Sequence, residues 1–177
     1  MGGYITIGFV FRSDKLALNA GMIKYLVDRF KLSDFSFLLN NEKAILYRDM
    51  NEEIYQLIIA NDYGNILLMS DFLDVKNQMI NIVYIKFPDY FSIQIQLFNN
   101  PLRKLNYDDY ELKLIDYIKT SYPQVPFAYA MCGCDSEIDF SPNEIDDEDF
   151  NYSILVVPEG NDFIIKQGEC RIDGNKR

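Results

Sequence analysis

Histidine is absent from all 177 residues, which removes His-based nucleophile triads, His general bases and His metal ligands together. Cysteine is scarce, with Cys132, Cys134 and Cys170 the only three. An odd, sparse set suits reduced thiols in a cytosol rather than a disulfide framework. Three Cys without a His also fall short of the four ligands of a closed zinc site. With nine Gly and six Pro, collagen-like and low-complexity readings fail. No apolar run reaches the ~18 residues that span a bilayer. The opening Met-Gly-Gly-Tyr-Ile-Thr lacks the cationic region and cleavage pattern of a secretory leader, so a cytoplasmic protein with no membrane partner is expected. Gly2 to Thr6 formally match the N-myristoylation pattern. The same residues run on into Ile7-Gly8-Phe9-Val10-Phe11, which reads more simply as an opening strand.

Positive charge is missing from one long stretch. Thr120 to Ile165 contains no Lys or Arg but ten acidic residues. The rest of the chain balances at 17 acids and 17 bases, so the entire formal net charge of −10 comes from that region. Such a field repels phosphate backbones and anionic lipid and attracts basic partners.

What is present is ordinary globular material, 49% hydrophobic, 25% charged and 15% aromatic, enough to bury a core without staples. After the opening strand, Leu16, Met22, Ile23, Leu26, Val27 and Phe30 recur at helical spacing. Residues 34–40 and 42–48 read as a hairpin turning at Asn40-Asn41. A short helix over 54–60 competes with a strand. Ile66 to Met69 is a short apolar run. Residues 81–87 and 91–98 read as strands joined by Pro88-Asp89-Tyr90, and in the second Ile93, Ile95 and Leu97 alternate with Ser92, Gln94 and Gln96, predicting one dry face and one wet. Asn106 opens a helix to about Lys119, and strands are expected over 125–131, 152–157 and 163–166. The expected fold is a single α+β domain over 1–177, with a mainly antiparallel sheet packed against two principal helices and a long acidic loop near 135–150.

Motifs that carry chemistry are few. Asp89 followed by Glu111-Leu112-Lys113 has the spacing of metal-dependent nucleases, but the Glu-Leu-Lys falls in a helical period and Asp89 in a hairpin turn. No phosphate-cradling Gly-rich loop occurs. Asp146-Asp147-Glu148-Asp149 lacks the alternating ligands and central Gly of a calcium loop. The cysteines stand beside carboxylates, which disfavour the thiolate. The expectation is therefore a non-enzyme with no catalytic residues, no cofactor and no metal.

The candidate partner-binding residues are Asp135, Glu137, Asp139, Phe140, Glu144, Asp146, Asp147, Glu148, Asp149 and Phe150. Acidic steering speeds encounter, and aromatic burial slows dissociation. The opening Met-Gly-Gly-Tyr-Ile-Thr-Ile-Gly-Phe-Val, the amphipathic helix after it and the acidic, Tyr/Phe-rich last third resemble the immunity proteins of bacterial polymorphic toxin systems. That resemblance implies a cytosolic domain that occludes a cognate toxin, with no catalytic residues to carry over. Many such toxins are basic nucleases, which an acidic surface would suit. The reading is a non-enzymatic inhibitor of a cognate basic toxin, without direct nucleic-acid contact. The alternative is a phage-type nucleic-acid mimic that uses the same carboxylates against a host defence protein.

Overall fold

The computed structural model describes residues 4–30, 35–39, 45–47, 52–98, 106–134, 138, 140–145 and 152–177. Among these residues nine strands form one sheet: β1 (Tyr4–Arg12), β2 (Phe35–Leu39), β3 (Ile45–Tyr47), β4 (Tyr63–Phe72), β5 (Val75–Lys86), β6 (Tyr90–Phe98), β7 (Tyr129–Cys134), β8 (Ile154–Glu159) and β9 (Asp162–Gln167). Their spatial order is β3-β2-β4-β5-β6-β1-β7-β8-β9, and every neighbouring pair is antiparallel. Three α-helices accompany it, α1 (Asn19–Asp28), α2 (Glu52–Ala60) and α3 (Tyr107–Ser121), with a 3-10 turn over Ser13–Leu18 leading into α1.

β1 lies inside the sheet, between β6 and β7. Its Ile5, Ile7, Phe9 and Phe11 point to one side and Thr6, Gly8 and Val10 to the other, all buried. A strand covered on both faces loses the polar alternation of a half-exposed one. The odd-numbered side chains join the main core with Met22, Leu26 and Val27 of α1, Ile54 and Ile58 of α2, and Leu114 and Ile118 of α3. All three helices therefore cover the same face of the sheet. α3 starts at Asn106, whose side chain accepts from the Asp108 N–H at 3.2 Å. Asp108 and Asp109 in its first turn and Lys119 in its last complement the helix dipole.

The expected α+β architecture, a mainly antiparallel sheet with two principal helices, is the observed one; the first helix, expected to run to about Lys31, spans Asn19–Asp28 after a 3-10 turn, the second spans Tyr107–Ser121, and α2 is a third. β4 and β5 are much longer than the short runs legible in the sequence. They are joined through Leu73 and Asp74, both at positive φ (45° and 69°), a two-residue turn of the mirror-image kind that matches strand twist. Leu-Asp carries no Gly or Asn to announce it. The turn is secured by Asp71, whose carboxylate accepts from the Asn77 N–H at 3.1 Å and from Lys76 Nζ at 2.8 Å. The strand expected over 125–131 begins only at Tyr129, because the backbone before it runs through Pro126, and Ala128 N–H reaches back to the Val10 carbonyl at 2.8 Å.

Residues 168–177 close over the start of α3. Arg177 donates to Glu111 Oε2 at 2.8 Å, to the Ser153 carbonyl at 3.0 Å and to the Gly168 carbonyl at 3.0 Å. The other oxygen of Glu111 accepts from the Ile172 N–H at 3.0 Å. Glu111 is buried, and these donors satisfy both of its oxygens.

Candidate functional site

The helix-free face of the sheet divides into two parts. Over β1, β6 and β7 it is covered by Ile138 and residues 140–145. Ile138 is fully buried among Val10, Tyr90, Tyr129, Met131 and Leu155. It sits directly over Gly8, where a Cβ would collide with the Ile138 side chain, so the absence of a side chain at position 8 is what lets the segment settle on the sheet. Gln94 Nε2 donates to the Ile138 carbonyl at 2.9 Å and to Ser92 Oγ at 3.2 Å. The Tyr129 hydroxyl donates to the Phe140 carbonyl at 2.7 Å, and Arg12 to Asn143 Oδ1 at 3.2 Å. A turn follows, in which Glu144 N–H donates to the Ser141 carbonyl at 2.9 Å and Ser141 N–H to Glu144 Oε2 at 2.7 Å.

This covering corrects the wet face expected for β6. Ser92 and Gln94 are buried, and Gln94, which also donates to Ser92, is spent holding the segment in place rather than meeting water. Only Gln96 of the three is partly exposed.

The other part, over β4 and β5, is left bare by the described residues. Leu67, Met69 and Met79 are 37%, 42% and 42% exposed, and Met69 stands directly opposite Met79 in the strand register. An amide ladder crosses the strands beside them. Asn65 Nδ2 donates to Asn81 Oδ1 at 3.1 Å, and Asn81 Nδ2 to Gln96 Oε1 at 2.9 Å. Between this ladder and Ile138 lies a hollow of about 360 Å³, floored by Val83, Ile85 and Gln94 and bounded by Tyr63 and Phe87. Sequence reasoning missed these residues as a surface. The available signal was the unbroken run Ile66-Leu67-Leu68-Met69: in a strand, two of four consecutive apolar side chains must face away from the core.

Of the ten residues singled out from the sequence, Phe140 and Glu144 are described. Phe140 is half-buried and Glu144 exposed, both on the segment that crosses the helix-free face. Asp135, Glu137, Asp139, Asp146, Asp147, Glu148, Asp149 and Phe150 lie outside the described residues.

Alternative chemistries find little support in the geometry. Glu111 is occupied by Arg177 and Ile172. Lys113 pairs with Asp74 at 3.2 Å and Asp109 at 3.0 Å, hydrogen bonds that raise its pKa. The Glu-Leu-Lys triplet is thus a piece of helix surface and clasp. Cys132 is buried, and desolvation first and the nearby Glu111 charge second push its thiol up, away from nucleophilic use. Among the described residues no group of His, Cys, Asp and Glu has the arrangement of a metal site, and no helix is long and apolar enough to cross a membrane.

Compared with known proteins, the chain matches no curated protein and no solved structure. A family model, Immunity protein 64, matches residues 19–176. That span runs from the start of α1 through β9 to Lys176 and takes in every described element except β1 and the 3-10 turn after it. The chain belongs to the Immunity protein 64 family.

Proposed function

We propose that this protein is the non-enzymatic antidote to a cognate basic toxin, which it holds through the acidic, aromatic-rich segment around residues 135–150. The observation that carries the toxin-neutralising role is the family match over 19–176. A basic partner is supported by the ten carboxylates between Thr120 and Ile165, unopposed by any Lys or Arg. Supporting the segment as the recognition element, Ile138 and residues 140–145 are fastened to a rigid sheet through Gly8, Gln94 and Tyr129. Recognition groups carried on a rigid scaffold lose less freedom on binding than those on a free tail. Phe140 and Glu144, on that segment, are offered to the partner, with Asp135, Glu137, Asp139, Asp146, Asp147, Glu148, Asp149 and Phe150 assigned to the same surface.

The test is rescue. A toxin gene should lie beside this one in the source genome; its expression should arrest growth, and co-expression of this protein should restore it. Continued arrest with the protein present at a level above the toxin's would refute the assignment.

A further inference from the structure

We infer that the bare half of the helix-free sheet face, centred on Leu67, Met69 and Met79 and continuing into the hollow beside Ile138, is where an apolar projection of the cognate toxin is gripped. The inference rests on the immunity reading above and adds the contact that holds the complex once charge has brought the partners together.

A well-formed interface has an apolar, desolvated centre surrounded by polar groups, and most of its energy comes from a few central side chains. The bare face has that composition. Along β5 its side chains run Met79, Asn81, Val83, Ile85, and along β4 Tyr63, Asn65, Leu67, Met69. None is charged. Methionine side chains adapt their shape to a partner, and the two here stand opposite each other across the β4–β5 ladder. The ladder of Asn65, Asn81 and Gln96 spends only part of its hydrogen-bonding capacity internally, since each amide offers two donors and two acceptor sites. What is left suits the backbone N–H and C=O groups of an inserted segment.

Charge decides the occupant. Lys76 and Lys86, near the two ends of β5, are each paired with a carboxylate, Asp71 at 2.8 Å and Asp62 at 3.9 Å. Ile138, the wall of the hollow, has Glu137 and Asp139 as its chain neighbours. A second copy of this chain would carry the same −10 charge, whereas a basic toxin brings the complement. The neutral grip then acts on dissociation and the acidic run of the sequence on encounter.

The experiment measures association and dissociation of the purified toxin encoded beside this chain. It compares the wild type with the double variant Met69→Thr/Met79→Thr, with Leu67→Thr, and with Leu112→Gln as control. Thr keeps the strand preference at exposed positions, and Leu112 is exposed on α3, away from the face. We expect the double variant to dissociate roughly ten- to a hundred-fold faster, with an on-rate within about three-fold of wild type. Leu67→Thr should shift in the same direction, and Leu112→Gln should match wild type. Circular dichroism and the unfolding midpoint should be unchanged in all. An unchanged off-rate in the double variant overturns the inference while leaving the immunity reading intact. So does a wild type that dimerises through this face, with the double variant monomeric by sedimentation. Failure of the wild type to bind the toxin at all would refute the immunity reading itself.

Discussion

Replacing Arg177 with Met should cost up to about 3–5 kcal/mol of folding stability, the upper range for stranding a buried charge, because Glu111 is buried although Arg177 itself is partly exposed. Arg177 reaches Glu111 at 2.8 Å and also holds the Ser153 and Gly168 carbonyls, so its loss uncovers a carboxylate on α3 and loosens the chain around β8 and β9. Urea unfolding followed by circular dichroism gives the number directly. The pair Glu111→Gln/Arg177→Met should recover a good part of the loss, because Gln retains an acceptor for the Ile172 N–H while removing the stranded charge. A single-variant loss below about 1 kcal/mol would mean that residues 168–177 do not close over α3 in solution.

The second large effect is kinetic. Converting Asp146, Asp147 and Asp149 to Asn and Glu148 to Gln removes four of the ten net negative charges. The on-rate for the toxin should fall roughly ten-fold or more at low salt, and the off-rate much less. The wild-type on-rate should fall steeply as salt rises, and that of the quadruple variant less steeply, because screening acts on the steering charges and six of the ten remain. Phe140→Ala should do the opposite, speeding dissociation at a cost of about 1–3 kcal/mol of affinity. The Phe140 backbone carbonyl, held by the Tyr129 hydroxyl, is kept in that variant. A quadruple variant with unchanged on-rate and unchanged salt dependence would reduce the acidic run to solvated surface.

The architecture was largely legible in the sequence, and the parts that were not have identifiable causes. β1, α1, β6 and α3 could be read because their periodicity and caps agree with their final environment: Asn106 caps, Asp108 and Asp109 charge the first turn, and Ile93, Ile95 and Leu97 alternate into the core. The β4–β5 hairpin escaped because its turn residues, Leu73 and Asp74, take a left-handed conformation without the usual Asn-Gly, held by a carboxylate, Asp71, whose role is tertiary. Ser92 and Gln94 mislead for a related reason. Their polarity announces water, but a segment more than forty residues later covers them and satisfies them internally. The family resemblance drawn from the residues agrees with the family match. The exposed apolar face was half legible: the run Ile66 to Met69 requires two apolar side chains to face away from the core, but whether Leu67 and Met69 lie under another element or in solvent depends on where the helices and the Ile138 segment fall.

The central claim is that the protein neutralises its toxin by occupying it, and the most direct measurement is a titration of toxin activity at toxin concentrations well above the dissociation constant. Residual activity should fall linearly and reach its floor at one equivalent of this protein. The inhibited toxin should have unchanged mass and regain full activity once the complex is separated by denaturation and refolding. Inactivation by far less than one equivalent, or a toxin left chemically altered after separation, would contradict the account and show that the protein acts as an enzyme on its partner.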